Sequence, residues 1–429
     1  MKKVFFLTLF FILAGCSAVK KPLGKYQIID IESSVGDYQR IYASDFFSSF
    51  ELVPLETNIN SLIGGDPIVL ANDSFIIIGS VIKARTVPVQ RNLHVFNRSG
   101  KFLNQIGSIG RGPGEYIGIL NFFLDHEKPN IYVDDSSQIL EYELSGKFIG
   151  TIPIPIINGF RLWNIRYIGD NLFFGAPVSY VYASNDNYYI FDRNGNIVKY
   201  FPNHFFYNAE NQLSNSMLKS GPPFKIDKQL YVWDNINDTI YTFVNTNLQP
   251  AYIFDFGEYT YPLGRNNKEG KREIITMNNV TANRLLSIIN IVGTPQYLFY
   301  TAFVPSYFKK PKVREKFDAV FGQILPDEAV HGIYNIAENT NMFCDTDPYY
   351  HQNGLINDIN GSLSFFPKYY AGNGEVFDIW CAYDMKEFLT EEYFASIEIK
   401  DKLAHQKLRE LLRKLKEEDN PVVVIAKLK

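Results

Sequence analysis

The residues able to do chemistry are thinly spread in this chain. His94, His126, His204, His331, His351 and His405 fall singly, in neither the HExxH nor the His-x-His spacing that assembles a zinc site on one element. No Gly-x-Ser-x-Gly elbow is present to raise a nucleophilic serine. Asp134 and Asp135 close an apolar run; such a pair could join other carboxylates around a cation, and an Asp in that place is equally a turn residue. Cys344, Asp345, Asp347 and His351 offer ligand types in no recognised order, so no metal and no cofactor is called for. The run Gly110-Arg111-Gly112-Pro113-Gly114-Glu115-Tyr116 looks like a phosphate cradle. A cradle needs backbone N–H groups converging at a helix start, however, and Pro113 has none while residues 117–124 are strand-like. It reads as a tight connection offering Arg111 and Glu115. Trp163, Trp233 and Trp380 complete the set, since aromatic faces stack on sugars and apolar ligands as readily as they fill a core. The binding candidates are therefore Arg111, Glu115, Asp134, Trp163, Trp233 and Trp380.

The elements that must position them are set by a repeat. Leu93, Val95, Phe96, Gly100, Phe102, Leu103 and Ile106 recur as Ile139, Glu141, Tyr142, Gly146, Phe148, Ile149 and Ile152, with Ser-Gly-Lys-Phe shared and one apolar position lost at Glu141. The period of 46 residues suits a four-stranded propeller blade and is too long for leucine-rich or helical-pair repeats. Gly is expected in the turn because the hairpin needs positive φ to match strand twist. A third copy runs through Tyr188, Ile190, Phe191, Gly195, Ile197, Val198 and Phe201. A fourth runs through Ile240, Thr242 and Phe243, with Asn247 in the Gly position, and a fifth occupies 334–341 with Ile336 after a long insertion. Two lone β-rich segments, 50–57 and 421–429, lie at opposite ends of the chain, and pairing them in the last blade would close a ring. The resulting expectation is an all-β, six-bladed propeller with blades at about 60–107, 108–155, 156–203, 204–257, 280–345, and 355–429 joined by 40–57. Residues 258–283 and 305–331 interrupt it, the latter with a basic run from Lys309 to Lys316 that reads as a solvated loop or helix. A helical segment at about 384–418 precedes the final strand, with a capping-box pattern at Asp384 and Glu387 and an apolar stripe of Ala404, Leu408, Leu411, Leu412 and Leu415.

With its Gly-rich lead-in, the NIYVDDS strand and the Ser-Gly-Lys-Phe hairpin, 107–152 resembles an NHL repeat. The whole span 40–429 is similar to the six-bladed propeller lipoproteins of Gram-negative bacteria, most of which lack an assigned function. The chain start agrees: Lys2 and Lys3, the apolar run 4–13, then Leu13-Ala14-Gly15-Cys16 resemble a lipoprotein signal peptide ending in its lipobox. The run is well short of the roughly 20 residues that span a bilayer. The resemblance implies cleavage after residue 15, lipidation of Cys16 and membrane attachment, since two or more acyl chains anchor a protein stably. Residues 16–39 read as a tether. Ser17 is not the Asp associated with inner-membrane retention, and 17–21 lacks acidic residues associated with surface export. An outer-membrane lipoprotein on the periplasmic face is thus expected.

Composition supports one large β domain, with 46% hydrophobic residues, 35 Phe and 28 Tyr. Loss of Lys2 and Lys3 with the leader leaves 40 basic against 46 acidic residues, which speaks against a nucleic-acid partner. Two functional readings follow. One is a binding module in the cell envelope, presenting its channel and loops to a glycan, peptide or protein. The alternative is a metal-dependent hydrolase or lyase at the central channel, as in some similar propellers, which requires a ring of carboxylates, Asn or His from several inner strands.

Overall fold

The computed structural model describes residues 26–64, 67–79, 92–125, 128–135, 137–177, 186–202, 205–207, 221, 223–233, 238–244, 247–260, 263–266, 272–274, 286–303, 316–318, 323–325, 329–345 and 354–429. The chain is mostly strand, and six small sheets stand in a ring as a six-bladed β-propeller. Blade 1 holds Ile68–Ala71, Phe75–Gly79, Leu93–Asn97 and Phe102–Ile106; blade 2 holds Asn121–Leu124, Asn130–Asp134, Gln138–Glu143 and Phe148–Pro153. Blade 3 runs from Ile156–Ile157 through Phe160–Gly169, Leu172–Pro177 and Asp186–Asp192 to Ile197–Pro202. Blade 4 is built on Phe224–Ile226, Gln229–Val232, Thr239–Val244 and Asn247–Asp255, and blade 5 on Ser287–Gly293, Tyr297–Phe303, Ala329–Asn335 and Thr340–Cys344. Blade 6 combines Tyr369–Tyr370, Glu375–Trp380 and Val422–Leu428 with Phe47–Pro54.

The inner strands of the sheets are buried on both faces, and this explains their uninterrupted apolar runs. Successive side chains point to opposite faces, so Phe173 joins the core between blades 2 and 3 while Phe174 joins the one between blades 3 and 4. Ile131 and Val133 likewise face blade 1, and Tyr132 faces blade 3. The six apolar clusters are six blade-to-blade interfaces. The repeat's lost apolar position is also explained. Glu141 is buried, accepts a hydrogen bond from Asn130 Nδ2 at 2.9 Å, and is ion-paired to Arg193 in the turn of the next blade. Burial pushes its carboxyl up, but the bonds from Arg193 and Asn130 outweigh that and hold it below the usual range. Arg98, two residues before the turn glycine as Arg193 is, bonds Glu375 of blade 6 at 2.8 Å. In blade 2 the same place is taken by buried Leu144.

Gly100, Gly146 and Gly195 adopt φ of 83°, 91° and 78° in the equivalent hairpin turns. Asn247 does not substitute for them: it opens a strand opposite Val244, and the turn, 245–246, lies outside the described residues. In the fifth copy the left-handed residue is Asn339, at φ 55°. The extra length of blade 5 is an insertion between its second and third strands, carrying the hairpin Lys316–Asp318 with Gln323–Leu325. Lys309, Lys310, Lys312 and Arg314 lie outside the described residues.

Closure follows the expected pairing of the chain ends. Val422–Leu428 is hydrogen-bonded on one side to Glu375–Trp380 and on the other to Phe47–Pro54. The stretch assigned to a tether is partly structured: Gln27–Asp30 pairs in parallel with Asn247–Asp255, and Tyr38–Gln39 with Thr340–Cys344. The amino-terminal segment thus lines the outer edges of blades 4, 5 and 6 in turn. A four-residue edge strand needs only its backbone and one inward side chain, here Ile29, so periodicity gave no sign of it. The leader and Cys16 lie outside the described residues.

The helical segment is three helices, Ala382–Phe388, Glu391–Ser396 and Lys402–Lys414. Asp384 and Glu387 fall inside the first helix, which is preceded by Cys381 with no side-chain cap, whereas Thr390 and Asp401 cap the second and third through the N–H groups of Tyr393 and Ala404. Leu408 and Leu415 are buried, with Leu411 and Leu412 packed against the same core on blade 6. Among the described residues, no helix is long and apolar enough to cross a membrane.

Because Val424 is wholly buried in an apolar cluster, in the strand that joins both chain ends, Val424→Asp places a charge among apolar side chains. The expected loss is at least about 4 kcal/mol, read as a lowered midpoint in urea. A loss below 1 kcal/mol would mean that closure depends little on this strand.

Candidate functional site: the axial cavity

The axial ends of the six blades surround a cavity of about 470 Å³, lined by residues 67–70, 121–124, 166–167, 223–225, 230, 290–293 and 368–370. Every blade contributes, so the cavity lies on the propeller axis, and its volume falls within the range of small-molecule sites. Its walls are largely apolar: Ile68, Phe122, Phe123, Phe224, Ile291 and Val292 are among them. Asn121, Asn290, Tyr369 and Tyr370 add polar groups, and the charged side chains are Arg166, Lys225 and Lys368. No carboxylate lines it among the described residues.

Local backbone features aim these groups. The long strand Phe160–Gly169 shifts register between Trp163 and Arg166, where Asn164 takes φ 52°. A bulge of this kind inserts a residue and redirects the side chains that follow, here turning Arg166 to the cavity. Its Nη1 donates to Ile165 O at 2.9 Å, the carbonyl that also accepts from Asn121 Nδ2 at 3.3 Å. The guanidinium lies 5.9 Å from the Phe123 ring centroid. Burial pushes the Arg166 pKa down to about 10, against the opposing influence of Tyr369 and Asp134; the group remains a cation at neutral pH. Burial likewise raises the Tyr369 hydroxyl, which stays protonated. Lys368 reaches Asp378 at 2.7 Å and is itself half-exposed. At Gly293 a side chain would drive into Phe224 and Ile226, with a Cβ 2.6 Å from the Phe224 ring, so the close approach of blades 4 and 5 at the cavity depends on this glycine.

The candidates named from sequence are dispersed around the fold. Asp134 and Trp163 are brought together by Arg161, whose Nη2 donates to Asp134 Oδ1 at 2.6 Å and whose guanidinium lies 5.0 Å from the Trp163 ring centroid. Arg161 Nε and Nη1 are buried and find no hydrogen-bond partner among the described residues. Trp163 is half-buried, while Trp233 and Trp380 are 2% and 4% exposed and offer no face to a ligand. Trp233 fills the interface of blades 4 and 5, and Trp380 that of blades 5 and 6. In the Gly-rich loop the Glu115 carboxylate accepts the Gly112 N–H at 2.8 Å and packs against Gly110; Arg111 is exposed, and neither residue lines the cavity. Tyr142 and Tyr116 anchor this loop by donating to Gly114 O and Ile106 O, an arrangement suited to a connection between blades 1 and 2. His94 and His405 also lie off the cavity, and His126, His204, His351 and Asp347 fall outside the described residues. Among the described residues, no three His, Cys, Asp or Glu side chains converge as metal ligands. Arg166, Lys225 and Lys368 were missed because the separations between successive cavity positions drift: 45 residues from Asn121 to Arg166, but 78 from Asn290 to Lys368. Their shared place on or beside the strand of each blade that faces the axis was the available signal.

Fold and site together define a six-bladed propeller with a pre-formed axial cavity. More particularly, the chain belongs to the family described as "Domain of unknown function (DUF4934)", which it matches over residues 26–427. It is similar in fold to a candidate exported protein of Bacteroides fragilis NCTC 9343, at 18% identity and a TM-score of 0.60, over 94% of this chain and 99% of that one. A member of the DUF4221 family from Bacteroides vulgatus ATCC 8482 matches at 10% identity and a TM-score of 0.48, over 89% and 97% of the respective chains. No curated protein matches.

Removing one partner of a buried ion pair strands the other. Asp134→Ala is therefore expected to cost about 3–5 kcal/mol in chemical denaturation, with Asp134→Asn costing less because it keeps an acceptor for Arg161. A cost under 1 kcal/mol for the alanine would mean that the pair contributes little to blade packing.

Proposed function

We propose that this protein is an envelope-located binding module, tethered through lipidated Cys16 and taking its ligand in the axial cavity. The observation that carries the reading is the cavity itself, to which all six blades contribute and whose apolar walls are interrupted by a few directed polar groups. Support for the location comes from the Leu13-Ala14-Gly15-Cys16 sequence behind a short apolar run, and the description of the B. fragilis relative as a candidate exported protein agrees with it. Ser17 and the absence of acidic residues in 17–21 favour the periplasmic face of the outer membrane. The NHL-like character of 107–152 fits a repeat whose other copies have lost their Gly-rich lead-ins. A cavity lined by amides, phenols and cations, without carboxylates among the described residues, favours binding over metal-dependent hydrolysis or elimination at the axis.

Ile68 lines the cavity at 41% exposure and is in none of the apolar clusters formed by the described residues, so Ile68→Trp should intrude on the cavity while sparing the core. Fragments that bind the purified protein in a ligand-observed NMR screen should weaken at least tenfold in this variant. Hits indifferent to the substitution would place binding on loops or rim instead. For the anchor, Cys16→Ala should abolish palmitate labelling and move the protein out of the membrane fraction; labelling that persists would refute lipidation at this residue.

A further inference from the structure

We infer that the axial cavity selects a small organic oxyanion, a molecule with an apolar or sugar body carrying a carboxylate or sulfate, and holds its charge through Arg166, assisted by Lys225. This inference rests on the cavity being the binding site. The chain as a whole is acidic, at a formal net charge of −4, yet the charged side chains of the cavity are all cationic. They come from blades 3, 4 and 6, so the ring converges them on one space although they are remote in sequence.

The carboxylates behind the lining do not cancel this field. Asp134 is engaged by Arg161 at 2.6 Å, Asp378 by Lys368 at 2.7 Å, and Asp227 accepts a long 3.5 Å bond from Tyr370. Among the described residues Arg166 itself is in no ion pair, so its charge is the one left for a ligand. Arg166 is the central group because its planar fork suits carboxylate and sulfate oxygens better than an ammonium does. It is half-buried among Phe123 and neighbouring apolar walls, where charge is screened less than at the surface. The protonated Tyr369 hydroxyl and the Asn121 and Asn290 amides can donate to remaining oxygens, and Phe122, Phe224 and Ile291 supply the apolar walls against which the body would pack.

The test is isothermal titration of the purified protein with two probes of one shape, 1-naphthalenesulfonate and the neutral 1-naphthalenemethanol. The sulfonate should bind once per chain, at least tenfold tighter than the alcohol, and weaken as salt is raised. Arg166→Gln should remove at least tenfold of that preference, Arg166→Lys should keep part of it, and Lys225→Gln, a second variant independent of the bulged strand, should reduce it severalfold. Equal affinity for the two probes, with both lost in Ile68→Trp, would overturn the anion preference while leaving the cavity as the binding site. Binding of the sulfonate that survives Ile68→Trp would overturn the cavity reading and this inference with it. Failure of the sulfonate to bind overturns the inference directly.

Discussion

The structure depends on one constraint: each blade's sheet must bury both of its faces against neighbours. Strand periodicity then assigns alternate side chains to two different cores, so no blade has a hydrophobic interior of its own. Leu162, Phe173 and Phe191 belong to the contact with blade 2, while Phe174, Ala176 and Ile190 belong to the contact with blade 4. A full-sized apolar side chain contributes about 1.5–3 kcal/mol on burial, but here it does so only if the adjacent blade is in place. Cooperativity around the ring follows from this, as does the need for closure.

Closure joins the two ends of the chain. Val422–Leu428 pairs with Glu375–Trp380 and with Phe47–Pro54, and the amino-terminal segment continues outward as added strands on blades 4 and 5. Those parallel pairings cover backbone edges that would otherwise be open to another chain. The three helices before the last strand serve the same region: Leu408 and Leu415 share a core with Phe47, Phe365 and Val424. Among the described residues, the most heavily built interface is therefore one made by the blade that remote sequence closes.

What was legible in the sequence was whatever one blade can encode locally. Gly100, Gly146 and Gly195 report a turn geometry that most other residues resist, and apolar runs such as Leu93 to Phe96 report strands; together with the lone strands near the two chain ends they gave blade number and closure. The site was less legible because it is a property of the ring. Asn121, Arg166, Lys225, Asn290 and Lys368 converge only after six blades are arranged about an axis, and unequal hairpins and insertions erase any fixed interval between them. The tryptophans misled for a related reason. Residue type does not tell an interface between blades from a ligand-facing surface, and Trp233 and Trp380 lie in the former. Glu141 was visible as a departure from the repeat, but its meaning required Arg193, 52 residues away on the next blade.

The same ring that hides the site from the sequence prepares it physically. Arg166 is set by a bulge in the strand Phe160–Gly169, tied through Ile165 O to Asn121 of the neighbouring blade, and placed over the Phe123 ring. Desolvating a cation costs energy that is recovered only when an opposite charge is supplied. Asp134, the nearby carboxylate that raises the Arg166 pKa, already accepts a hydrogen bond from Arg161. The cost of holding Arg166 partly out of water is thus borne by the folding of blades 2 and 3, before any ligand arrives. An incoming oxyanion would meet a charge already oriented and little solvated, so less of its binding energy is spent on ordering the site. That is a reason for a propeller to place a half-buried guanidinium on its axis when packing alone would have been better served by another aromatic ring.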